Sequence, residues 1–170
     1  MFELRFRRDS VLEWADRYSK YYDDSEVIAI GRDARTRGYL TAQQFRSMAK
    51  WKTPRSQSRC FKNSDEYVHA VTSNALAASE PRFKIEALRL LDGVDWPTAS
   101  VILHFCDRGD WPIIDYRAFW TLKQDPPAGK YSFGLWEAYT DFTRDLAREL
   151  AVDMRTLDRA LWTYSKERQQ

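Results

Sequence analysis

Apolar positions along this chain recur at helical spacing, and strand-like alternation is nearly absent. Val11, Leu12, Ala15, Tyr18 and Tyr22 share one face of a helix expected over Asp9–Tyr22. Asp23, Asp24 and Ser25 break the pattern, and a second helix is expected from Glu26 to Arg37 with Gly38 as its C-terminal cap. The run Glu26–Ile30 also suits a strand, but no partner strand is visible. Thr41 and Gln44 form a capping-box signature for a third helix, which carries Phe45, Met48 and Ala49 inward. That helix should end near Lys52, because Pro54 disfavours helical backbone at Thr53. Pro54 to Lys62 then reads as a loop.

The second half repeats this logic. Asn63 or Ser64 can cap a fourth helix with Tyr67, Val68, Val71, Ala75 and Leu76 inward. Pro81 opens a fifth, with Phe83, Ile85, Leu88 and Leu91 inward, and Asp92–Asp95 forms a tight turn. A sixth helix spans Trp96–Cys106, and a seventh begins near Asp115 after a turn at Asp107–Asp110. Gln124–Gly129 reads as a linker. Two amphipathic helices follow, over Phe133–Leu150 and Arg155–Lys166, the latter capped by Asp153. The expectation is an all-α fold of about nine helices in one domain.

Composition narrows the setting. No run of apolar residues is long enough for a transmembrane helix, and the N-terminus lacks the apolar core of a secretory signal. Cys60 and Cys106 are too few for a disulfide framework, a four-thiolate zinc site or a four-cysteine iron–sulfur cluster. A cytoplasmic, soluble monomer without a cofactor is expected. The lone histidines His69 and His104 suit packing better than metal binding.

With 27 basic and 25 acidic residues, the net charge of +2 does not announce a nucleic-acid binder. The distribution does more. Between Arg46 and Lys62 lie Lys50, Lys52, Arg55 and Arg59, with Trp51 among them and no acid. Lys52, Arg55 and Arg59 are candidates for phosphate contact, against the plainer reading of a solvated helix end and loop.

The most informative stretch is Leu91–Leu103. A glycine, Gly93, lies in the short turn between two helices, where it can take positive φ and allow close backbone approach. The second helix then presents its N-terminal amides to an anion, for which a DNA phosphate is a candidate.

Leu91, Gly93, Val94, Thr98, Ala99, Ile102 and Leu103, followed by Pro112, Ile113, Ile114 and Asp115, resemble the helix-hairpin-helix DNA glycosylase superfamily. Gly93 and Asp115 are 22 positions apart, an interval similar to that of its adenine-mismatch and endonuclease III-like branch. The close resemblance covers Leu91–Leu122. It implies a compact glycosylase-like helical domain, a hairpin at about residues 82–106, a catalytic-aspartate segment at 112–122, and terminal helices packing together.

The implied partner is double-stranded DNA with a lesion or mismatch. Gly93, Val94, Asp95 and Thr98 would lie on its backbone, with Asp115 as the catalytic carboxylate. Cleaving an N-glycosidic bond builds positive charge on the sugar, which a carboxylate stabilises while orienting water. The target nucleotide must leave the stack, and Trp51, Trp96, Trp111, Tyr116 and Trp120 are candidates for lining the base pocket. The resemblance also implies a monovalent cation on the backbone carbonyls of Leu91 and Val94, with no side-chain metal ligands.

Two departures change the expected chemistry. Pro97 stands where bifunctional relatives carry a lysine, so the resemblance implies base excision without a Schiff-base step. Asp95 stands where the hairpin's second glycine would be. A carboxylate there repels phosphate, unless it serves to cap the helix beginning at Trp96. The alternatives are a non-catalytic DNA-binding module on the same hairpin and a helical protein that binds a protein partner.

Overall fold

The computed structural model describes residues 2–124 and 131–169. Regular structure among them is entirely helical, which settles the all-α class. The α-helices are α1 (Val11–Asp16), α2 (Ser25–Arg37), α3 (Ala42–Lys52), α4 (Gln57–Cys60), α5 (Asp65–Ala77), α6 (Pro81–Leu88), α7 (Trp96–Cys106), α8 (Tyr116–Thr121), α9 (Phe133–Glu149) and α10 (Met154–Arg168). The linker expected over Gln124–Gly129 lies, beyond Gln124, outside the described residues. No helix among the described residues is long and apolar enough to cross a membrane.

The chain forms two compact units. One comprises Met1–Asp23 and Asp110–Gln170, the other Asp24–Gly109. The mid-chain unit is built around α7, which packs on α2, α3 and α6. This helix is apolar on nearly every side, with Ala99, Val101, Ile102, Leu103 and Phe105 all buried, as expected of a central helix. Its neighbours are delimited as their sequence signals require. Gly38 closes α2 in the left-handed conformation (φ 89°), its N–H donating to the Ala34 carbonyl. Thr41 and Gln44 cap α3 reciprocally. Ser64, rather than Asn63, caps α5 by accepting from the Tyr67 amide.

In the unit containing the termini, α10 packs on α1, α8 and α9. Trp136, Tyr139, Phe119, Leu157 and Leu161 are its buried centre. The N-terminal segment is tied to the end of α8, where the Glu3 and Arg5 amides donate to the Leu122 and Thr121 carbonyls. The Thr121 hydroxyl in turn donates to the Leu161 carbonyl at 2.8 Å.

Two expected elements differ. The helix expected over Asp9–Tyr22 is α1 flanked by 3-10 turns at Arg8–Ser10 and Arg17–Lys20. Trp14 is buried there, while Leu12 and Tyr22, expected inward, are exposed. The break lets Tyr18 and Tyr22 both meet the edge of Trp162, at ring separations of 5.4 and 5.2 Å. The stretch expected to be a loop, Pro54–Lys62, instead holds a 3-10 turn at Pro54–Ser56 and then α4. Gln57 anchors it by donating to the Arg46 carbonyl at 3.1 Å. Tyr67 and Phe83, expected to face inward, are also exposed.

Candidate functional site

The turn between α6 and α7 is locked from two directions within the mid-chain unit. Gly93 adopts φ 85°, and the Val94 amide donates back to the Leu91 carbonyl at 3.0 Å. A side chain at Gly93 would meet Cys60 Sγ at 2.7 Å and the Ser56 carbonyl oxygen at 3.1 Å. Only glycine therefore permits both this φ and this approach to α4. From the other side, Asn63 clamps the turn. Its Oδ1 accepts from the Asp92 amide (2.9 Å), and its Nδ2 donates to the carbonyls of Asp92 and Cys60 (3.0 Å each).

This docking sets the turn directly against the basic segment. Arg55 and Arg59 are exposed, on the 3-10 turn and α4 that carry Ser56 and Cys60. Lys52 is half-buried at the end of α3. The sequence gives no sign of Asn63 as the clamp, because its partner lies 29 residues away.

Asp95 caps α7, its Oδ1 accepting from the Trp96 amide at 2.8 Å. Arg89 donates to the same oxygen at 3.2 Å and lies 4.5 Å over the Trp96 ring. Pro97 has no N–H and the Trp96 amide is engaged by Asp95, so neither of the first two positions of α7 offers a free amide. An anion on this face therefore meets a helix start partly engaged by the exposed Asp95 carboxylate, with Arg55 and Arg59 as the exposed cations beside the turn. Thr98 is buried, with its hydroxyl 3.3 Å from that of Thr53. Leu91 and Val94 are buried apolar residues.

Asp115 belongs to the unit containing the termini. The buried run Trp111–Ile114 leads into it, and Tyr139 holds that run by donating from its hydroxyl to the Ile113 carbonyl at 3.2 Å. Burial keeps the Tyr139 phenol protonated far above its ordinary range, with the negative charges of Asp158 and Asp115 adding to the effect. Asp115 is half-buried with extended backbone and caps α8, its Oδ1 accepting from the Arg117 amide at 2.8 Å. A rigid carboxylate at a helix N-terminus results.

The aromatic candidates separate by exposure. Trp96 (4% exposed) and Trp111 (6%) are core residues, Trp111 stacking on Trp136 at 5.3 Å. Trp120 is half-buried between Tyr164 and the Arg5 guanidinium. Trp51 meets Phe105 edge-on. Tyr116 alone of the five is exposed, with Arg117 over its ring at 5.0 Å. A cleft of about 300 Å³ in this unit has Asp110, Arg144, Arg148 and Asp153 among its walls, and Asp115 is not one of them.

His69 packs on Tyr39 and His104 on Phe105. Among the described residues, no cluster of three or more His, Cys, Asp or Glu could hold a metal ion. A scan against family models, a search of curated proteins and a search of solved structures each find no match to this chain.

Proposed function

We propose that this chain binds duplex DNA through the Gly93 turn and its adjoining basic segment, and excises a damaged or mismatched base as a monofunctional N-glycosylase. The observation that carries the reading is the docking of the turn onto Ser56 and Cys60, which sets a rigid backbone loop beside exposed Arg55 and Arg59. Exposed cations beside a rigid backbone loop suit a phosphate chain, and they supply affinity without sequence preference.

Asp115 is the catalytic carboxylate in this reading. As the bond between the sugar C1′ and the base nitrogen breaks, its electron pair leaves with the base and positive charge grows on the sugar. The carboxylate stabilises that charge and orients a water, whose oxygen adds at C1′ and gives up a proton as the departing base nitrogen takes one up, leaving an abasic site. Pro97 offers no amine, so the strand stays intact.

The test is base release from a panel of lesion-bearing duplexes by the wild type and Asp115→Asn. Asparagine still caps α8, so the fold is kept. Loss of a charge-stabilising group predicts a fall in rate of roughly 100-fold or more. Undiminished release by Asp115→Asn overturns its role.

A second reading, DNA binding without catalysis, draws on the burial of Trp96 and Trp111 and on the use of Asp115 as a helix cap. It predicts salt-sensitive duplex binding with no base release from any lesion on the panel.

A further inference from the structure

The mid-chain unit carries a second feature beside the turn. Helices α3 and α4 flank an open cleft of about 230 Å³ lined by Gln43, Arg46, Ser47, Lys50, Gln57 and Phe61. Phe61 follows α4 and is 63% exposed. An aromatic ring left in water is unfavourable by itself, and here it stands among cations. Arg46 lies 4.9 Å over the ring, and Lys50 is exposed on α3. The Arg46 guanidinium donates to the Asn63 carbonyl at 3.4 Å and pairs with the exposed Asp65 carboxylate at 3.6 Å. Its Nε–H is buried without a hydrogen-bond partner among the described residues. Gln43, Ser47 and Gln57 add amide and hydroxyl groups to an otherwise cationic and aromatic wall.

The chemistry that matches this set is a nucleotide: a flat ring for Phe61, a phosphate for Arg46 and Lys50, and polar base edges for the amides. The volume lies below the roughly 300–1,000 Å³ of sites that enclose a drug-sized ligand, and suits one base with part of its sugar. The ring faces inside a duplex are already stacked, so an exposed aromatic ring finds a free face most readily on an unpaired base. Arg55, Arg59 and Lys62 continue the positive charge along the chain from the cleft, which suits the neighbouring phosphates of a strand.

We propose that the Phe61 cleft binds one unpaired nucleotide of a single strand, with the base stacked on Phe61 and its phosphate held by Arg46 and Lys50. This rests on the nucleic-acid part of the proposed function and is independent of Asp115.

The experiment compares binding of the full chain to three labelled probes at low salt. They are a short oligothymidylate, a strand of equal length with abasic sites in place of its bases, and a blunt duplex. The two strands carry equal charge, so their difference isolates the contribution of the bases, and Phe61→Ala then isolates stacking. Wild type is expected to favour oligothymidylate over the abasic strand by roughly 5- to 160-fold, the range for a base stacked on an aromatic side chain. Phe61→Ala, a surface change, should erase that preference while leaving duplex affinity unchanged, and Phe61→Trp should retain it.

Equal binding of the two strands by wild type, or a preference that survives in Phe61→Ala, overturns the cleft. If duplex binding persists in that case, the proposed function still stands; absence of binding to all three probes overturns both. Displacement of the strand by thymidine monophosphate, as effectively as by the strand itself, would make this a free-nucleotide site and overturn the assignment to a strand.

Discussion

Gly38 and Gly93 share nearly the same backbone conformation, at φ 89° and 85°, yet they answer to different constraints. A methyl group at Gly38 meets nothing within 4 Å, whereas at Gly93 it meets Cys60 Sγ at 2.7 Å. Gly38→Ala should therefore cost only the left-handed strain, about 1–2 kcal/mol. Gly93→Ala should add a steric term of about 1–3 kcal/mol, because Ser56 and Cys60 belong to a packed wall. Urea unfolding of the two variants separates these outcomes, and equal losses would mean that the turn is not docked on α4. The sequence marks Gly93 as a turn residue through local chemistry alone. It says nothing of Cys60, Ser56 or Asn63, because those contacts depend on how distant segments return to one another. For the same reason Trp96 and Trp111 could not be told from pocket residues: both are aromatic beside a motif, and burial is a property of the assembled unit.

At the scale of elements, legibility followed the caps. The bounds of α2, α3 and α7 are marked by Gly38, by the Thr41–Gln44 box and by Asp95 with Pro97, groups that act within a few residues. The α1 region and α4 lack such punctuation, and tertiary contacts shape them: Trp162 against Tyr18 and Tyr22, and Gln57 against the Arg46 carbonyl. Asp95 shows how one residue serves an element at a cost to its surface. It caps α7 and pairs with Arg89, but its side chain is 67% exposed on the face assigned to phosphate. Asp95→Ala should lower stability by about 1 kcal/mol through the lost cap. Asp95→Asn should keep most of the cap while removing the negative charge, so thermal stability should hold and duplex affinity at low salt should rise. An Asp95→Asn protein that binds DNA no better than wild type would place Asp95 away from the phosphates.

The molecule as a whole is nearly neutral, so its net charge predicts little about pH dependence; buried groups predict more. Each unit contains a deeply buried acid that burial holds in its neutral form. In the Asp24–Gly109 unit, burial pushes the Cys106 thiol up from 9.0 to about 12, with Asp107 adding to the rise and Arg35 opposing it. In the other unit, burial raises the Tyr139 phenol well above 10.0. For such groups the folded state keeps a proton that the unfolded state releases. Their stabilisation is fully present below the unfolded value and is lost as pH rises toward the folded one. Unfolding free energy should therefore begin to fall near pH 9 as unfolded Cys106 ionises, at about 1.4 kcal/mol per pH unit, and more steeply above pH 10 as Tyr139 joins it. Urea unfolding under reducing conditions from pH 8 to pH 10 measures this slope. Cys106→Ala should start from a lower stability, because it removes a buried sulfur packed 3.6 Å from Met48, yet decline less steeply between pH 9 and 10. Matching slopes in the two proteins would show that the thiol is not held protonated by the fold. A shallower slope in the variant would identify Cys106 as a packing residue of the α7 core, kept from thiolate chemistry by the same burial that makes it useful there.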